Sequence, residues 1–141
     1  MTVFMKRLFD IIFSVVALVF LAPLFILIAI LIKIGSPGGV FYRGIRVGRN
    51  GKLFRIFKFR TMVVDAEQKG GYSTSYNDHR LTSIGSFLRR YKIDELPQFI
   101  NVFLGQMSIV GPRPQVKFYT DKYGPKELPI LSVKPGITDF A

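Results

Sequence analysis

Apolar residues dominate the start of the chain. From Ile11 to Ile32, 22 consecutive residues carry no charge. A helix of that length runs about 33 Å, enough to cross a hydrocarbon core of about 30 Å. The run is too long for a cleaved signal peptide, and no small-residue cleavage site follows it. A core helix this apolar would need cover on every side. The pattern therefore predicts a membrane segment over residues 1–34. Pro23 lies near its middle, where a proline removes one backbone hydrogen bond and bends the helix. Lys6 and Arg7 precede the run, and Lys33, Arg43, Arg46 and Arg49 follow it. Positive charge stays on the cytoplasmic side, so both ends prefer the same side. A helix that enters, bends at Pro23 and returns satisfies both observations. The alternative is an ordinary kinked spanning helix, since proline is tolerated there.

Gly35-Ser36-Pro37-Gly38-Gly39 ends the helix. Two runs follow, about Val40–Val47 and Leu53–Met62, joined through Asn50-Gly51. That dipeptide is the strongest short hairpin signal, because both residues accept positive φ. Two antiparallel strands are predicted. Arg43, Arg46, Arg49, Lys52, Arg55 and Lys58 recur at every third position, and Arg60 follows. A period of three is neither strand nor helix, so these cations do not share one face. Such a ribbon suits anionic headgroups or a phosphate site; the plain alternative is a charged edge that blocks strand aggregation.

Asp65–Arg80 is polar and reads as a loop. LTSIGSFLRRYK has helical spacing in Ile84, Phe87, Leu88 and Tyr91, with Arg89 and Arg90 near its end. Asp94-Glu95 comes next, ahead of a helical stripe of Leu96, Phe99, Ile100 and Phe103 that Gly105 stops. Acids at a helix start satisfy free N–H groups and the dipole, which is explanation enough for the pair. Two adjacent carboxylates near Arg89 also form a unit able to hold a divalent cation or divide nucleophile and helper roles. Ser108–Val110 reads as a short strand. Pro112 and Pro114 then fix the backbone on both sides of Arg113, which suits a guanidinium held for bidentate phosphate contact. VKPGIT closes the sequence with a Pro-Gly turn.

Charge sharpens the division. Of the net +11, residues 1–64 carry +9 and residues 65–141 carry +2, so the basic excess adjoins the apolar run. The absence of Cys excludes a disulfide scaffold, a thiolate nucleophile and a Cys-ligated zinc. A single His, His79, argues against a Ser-His-Asp triad or a multi-His metal site. Carboxylates remain as the agents of any acid, base or nucleophilic chemistry. Basic residues among aromatics also suit nucleic acid, but no base-reading module is present, so no nucleic-acid partner is expected.

The ordered set KRLFD, the apolar run with Pro23, FKFRTM, Asp78-x-Arg80-x-Thr82, IGSFLRR, IDELPQFINV, MSIVGPRP and VKPGIT resembles the bacterial sugar transferase family, the monotopic phosphoglycosyl transferases. The resemblance implies an α+β fold, with a re-entrant helix broken at Pro23, a β-hairpin and short amphipathic helices at the membrane interface. It divides the chain into a membrane helix, 1–34, and a cytoplasmic catalytic unit, 35–141. It implies transfer of a phosphosugar from a UDP-sugar to undecaprenyl (polyprenyl) phosphate with release of UMP, on the cytoplasmic face of a bacterial inner membrane. Asp94 then corresponds to the nucleophile, Glu95 to its helper, and both to the Mg²⁺ site. Lys58, Arg60, Arg80, Arg89 and Arg113 fall on basic positions lining the diphosphate site. A second expectation is an inactive relative that binds only anionic lipid. Gln106 stands where the family usually has an acid. Ala22 offers no hydroxyl to support the bend, which then rests on Pro23. Asp139 and Phe140 replace a common glycine and Trp. Members continue well past this turn, so the resemblance implies a chain incomplete at its C-terminus.

Overall fold

The computed structural model describes residues 2–66 and 78–139. Its first element is α1, Thr2–Gly35, a helix of 34 residues and so about 50 Å long. It is the one helix among the described residues long and apolar enough to cross a membrane. The helical backbone continues through Pro23 without a change of element. A proline removes only the bond to the carbonyl four residues back, and the turns on either side hold the rest.

Both halves of α1 touch the rest of the molecule. Near the start, Arg7 donates to the carbonyl oxygens of Val102 and Phe103 at 2.7 and 2.8 Å. Buried Asp10 accepts from Ser108 Oγ and the Ile109 N–H, both at 3.1 Å. Lys6 donates to Ser108 Oγ and to the Val110 carbonyl. Toward the far end, buried Ile28 and Ile32 form a cluster with Phe59 and Leu88, and Phe25 meets Phe59 edge-on at 5.2 Å. The remaining surface of α1 is a sleeve of exposed apolar side chains, among them Phe4, Phe9, Val19, Phe20, Ile26 and Ile34.

The predicted hairpin forms in four pieces: β1 (Phe41–Tyr42), β2 (Ile45–Val47), β3 (Leu53–Arg55) and β4 (Lys58–Phe59). β1 pairs with β4 and β2 with β3, both antiparallel and in one continuous register. Asn50 (φ 56°) and Gly51 (φ 76°) turn the chain in the left-handed region, as their residue types allow. The split has a local cause. Buried Asn101 draws strand backbone groups out of the ladder: its Oδ1 accepts the Phe57 N–H at 2.8 Å, and its Nδ2 donates to the Arg55 carbonyl at 2.9 Å. The Arg43 guanidinium covers the Phe57 ring at 3.4 Å.

Three short helices follow: α2 (Ser83–Arg90), α3 (Gln98–Phe103) and α4 (Lys117–Thr120). Thr82 caps α2 by accepting from the Gly85 N–H at 3.0 Å. β5 (Ser108–Val110) pairs in parallel with β6 (Gly136–Thr138), so the expected Pro-Gly turn opens into a strand. A second apolar cluster, Phe54, Ile56, Val102 and Met107, joins the hairpin to α3. The predicted loop Asp65–Arg80 lies mostly outside the described residues.

Candidate active site

Asp94 and Glu95 sit on a single 3₁₀ turn, Ile93–Glu95, between α2 and α3. Lys92 makes the turn possible. It adopts φ 59°, a left-handed conformation that ends α2 and redirects the chain. This costs a non-glycine residue roughly 1–2 kcal/mol. Pro97 then leads into α3, as its fixed φ permits.

The two carboxylates have opposite environments. Asp94 is buried, and its Oδ1 has no hydrogen-bond partner. Burial pushes its pKa up, with the Glu95 charge adding to the effect; Lys58, Arg89 and Lys92 pull the other way without prevailing. Glu95 is held by two cations, Lys58 Nζ at 2.8 Å and Arg113 Nη2 at 2.6 Å, both on Oε1. Burial pushes Glu95 up, but Lys58 and Arg113 outweigh it and hold its pKa below the ordinary value. The dyad thus pairs a desolvated carboxylate lacking a partner with one that two cations fix in place.

Three elements deliver the cations. Lys58 comes from β4, in register opposite Tyr42. Arg113 comes from the Gly111-Pro112-Arg113-Pro114 segment after β5 and is 54% exposed. Arg89, on α2, donates from Nε to Thr61 Oγ1 at 3.0 Å. Lys58, Arg89 and Arg113 therefore gather around the dyad. Two expected members face elsewhere. Arg60 donates through Nη2 to the Ser36 carbonyl at 2.8 Å and Oγ at 2.9 Å, and through Nη1 to the Pro37 carbonyl, which caps the end of α1. Arg80 is buried against Asp78 in a two-pronged pair of 2.8 and 2.6 Å, and it reaches the Ala66 carbonyl at 3.1 Å. That guanidinium holds the Asp78 carboxyl far below the usual range. Both arginines tie chain segments together.

Sequence reasoning missed the buried polar residues. Asn101 fixes the strand that carries Lys58, and Asp10 clamps α1 to β5 just ahead of Arg113. Asn101 lies off the predicted stripe of Leu96, Phe99, Ile100 and Phe103, on the face of α3 that is buried with Gln98 and Val102, so the sequence offered no signal for it.

Among the described residues, no three His, Asp or Glu side chains converge. The dyad still suits Mg²⁺. That ion takes oxygen ligands, retains waters, and is commonly held by one or two carboxylates plus substrate phosphates. The orphaned Asp94 Oδ1 is the kind of buried atom a cation satisfies.

The sequence pattern of the bacterial sugar transferases matches residues 1–141. The chain is 42% identical over 98% of its length to a UDP-N-acetylgalactosamine-undecaprenyl-phosphate N-acetylgalactosaminephosphotransferase of Aeromonas hydrophila, and covers 33% of that protein. It is 42% identical over 97% of its length to a UDP-glucose:undecaprenyl-phosphate glucose-1-phosphate transferase of Escherichia coli, and covers 30% of it. A Bacillus subtilis putative undecaprenyl-phosphate N-acetylgalactosaminyl 1-phosphate transferase is 43% identical over 84% of the chain, which covers 66% of that relative. The chain thus spans about a third of the length of the first two relatives.

Proposed function

The chain belongs to the bacterial sugar transferase family, and from that premise we propose that it transfers a phosphosugar from a UDP-sugar to undecaprenyl (polyprenyl) phosphate. The observation that carries this reading is the asymmetric dyad: a buried, unpartnered Asp94 beside a Glu95 fixed by Lys58 and Arg113. An Asp94 carboxylate oxygen attacks the β-phosphorus of the UDP-sugar. The bond to the bridging oxygen breaks, and UMP leaves with that electron pair. An oxygen of the lipid phosphate then attacks the phosphosugar phosphorus and releases Asp94 unchanged.

Removing water from a carboxylate strengthens it as a nucleophile, and nearby Lys58 and Arg89 favour its ionised form. Arg113, exposed and braced by prolines, is positioned to share its guanidinium between Glu95 and the diphosphate. Asp94 and Glu95 would hold Mg²⁺, which offsets phosphate charge when bound.

The lipid acceptor requires a site at a membrane. We place residues 1–34 in the bilayer as a re-entrant helix and residues 35–141 on the cytoplasmic face of a bacterial inner membrane. The support is that α1 binds one body at both ends, through Arg7 and Asp10 and again through Ile28 and Ile32. A straight span of about 30 Å of lipid would carry one of those ends away. Pro23, with one hydrogen bond missing, is the point at which the helix yields. Exposed Phe87, Phe103, Phe118 and Tyr119 on α2, α3 and α4, with Tyr91 just after α2, belong at the interface on this reading.

Intact mass spectrometry tests the chemistry. The detergent-purified chain is incubated with Mg²⁺ and a panel of UDP-sugars, without lipid acceptor. The expected result is a phosphosugar adduct that disappears in Asp94→Asn. A folded chain that forms no adduct with any sugar would leave lipid binding without turnover.

A further inference from the structure

A second concentration of positive charge lies at the other end of the hairpin. The turn that carries Arg49 and Lys52, the end of α3 at Leu104–Gln106, and Lys134 line an open pocket of about 420 Å³. Along the strand, Lys52 is six residues from Lys58, roughly 20 Å at 3.3 Å per residue. The pocket is therefore separate from the dyad.

Its charges are poorly balanced. Arg7, Arg49 and Lys6 all act on Lys134, and Asp10 opposes them. The Arg7 and Lys134 charged groups lie against the same point of the backbone at Gly105, 3.2 and 3.7 Å from where a side chain there would begin. Asp10 is already committed to Ser108 and Ile109. Arg7 and Arg49 each spend part of their donors on carbonyl oxygens, of Val102 and Phe103 and of Ser132. Half-buried Lys134 makes no hydrogen bond or ion pair among the described residues. Burial and its cationic neighbours push its pKa down. Folding has thus assembled like charges around a cavity and left one ammonium without a partner.

We propose that this pocket binds a phosphate group, with Lys134 and Lys52 as its principal contacts and Arg49 contributing its remaining donors. Exposed Leu53 and Leu104 border the same pocket. An acyl chain on the phosphate would cover them, whereas a free phosphate would leave them wet. The site anchors a phosphate it does not transform, since no carboxylate lines the pocket.

Native mass spectrometry of the 141-residue chain in maltoside micelles tests this. The protein is titrated with dioleoyl phosphatidic acid and, separately, with inorganic phosphate, and compared with Lys134→Gln and Lys52→Gln. Each variant should weaken binding of one phosphate roughly fivefold, the effect of one cation near a lipid surface. Lys117→Gln, which alters a cation paired with Asp121, should not. Arg113→Gln should spare this phosphate and remove any held at the dyad. Phosphatidic acid retained where inorganic phosphate is not assigns a lipid headgroup; equal retention of both assigns a free phosphate. Affinity for both probes unchanged in the two pocket variants overturns the proposal. Lys134→Gln removes a repelled charge and should melt no lower than the parent. Should it misfold, exposed Lys52→Gln alone decides.

Discussion

At the residue scale, the dyad opposes stability to function. Asp94 has a raised pKa, so its ionised form is disfavoured in the folded state. That penalty is fully present above its folded pKa and vanishes below its unfolded value, near 3.8. Asp94→Asn should therefore melt at or above the parent at neutral pH while losing adduct formation. The advantage should shrink as pH falls through the folded pKa, which thermal melts across a pH series would measure. Glu95 has the opposite sign. Its lowered pKa contributes stability above about 4.5, lost as pH falls through the folded value. Glu95→Gln should destabilise at neutral pH, because it strands Lys58, and the deficit should close in acid. Melting curves that show both variants destabilised equally at all pH would refute this division. The pair of acids was legible from adjacency alone. Their difference was not, because it depends on Lys58 and Arg113, which stand 37 and 18 positions from Glu95.

At the scale of elements, close approach sets the geometry. α2 delivers Arg89 only because Gly85 lets its backbone lie against Thr61; a Cβ there would fall 1.9 Å from the Thr61 carbonyl oxygen. Gly85→Ala should cost about 1–3 kcal/mol, the usual range for overpacking. It should also weaken the Arg89–Thr61 bond, and chemical denaturation reads the first of these effects. Local signals predicted local structure well. Asn50-Gly51 fixed the hairpin register, and Gly105 lies where the chain leaves α3. Pairings between distant segments stayed hidden: β6 meets β5 across 28 positions, and nothing near Pro135 announces a partner. The period of three in the basic ribbon carried no single meaning. Arg43 covers an aromatic ring, Lys58 reaches the dyad and Arg60 caps α1. A guanidinium's acceptor is often a carbonyl remote in sequence, which composition does not record.

At the scale of the molecule, α1 is a beam fastened at two points. The chain has no native cysteine, so Val3→Cys and Lys33→Cys each provide a unique label. In inside-out vesicles a membrane-impermeant thiol reagent should modify both. In right-side-out vesicles it should modify neither. Labelling of the two positions from opposite sides would establish a span and remove the re-entrant reading. The fastening also imposes an order on synthesis. Arg7 and Asp10 bind residues 95 to 99 positions later in the chain. At 5–20 residues per second, the ribosome delivers those partners about 5–20 s after the apolar helix. On the membrane reading proposed above, the bilayer receives the apolar helix before those partners exist. The clamp through Arg7 and Asp10 then closes on a helix already inserted, after Phe59 and Leu88 have become available to its far end.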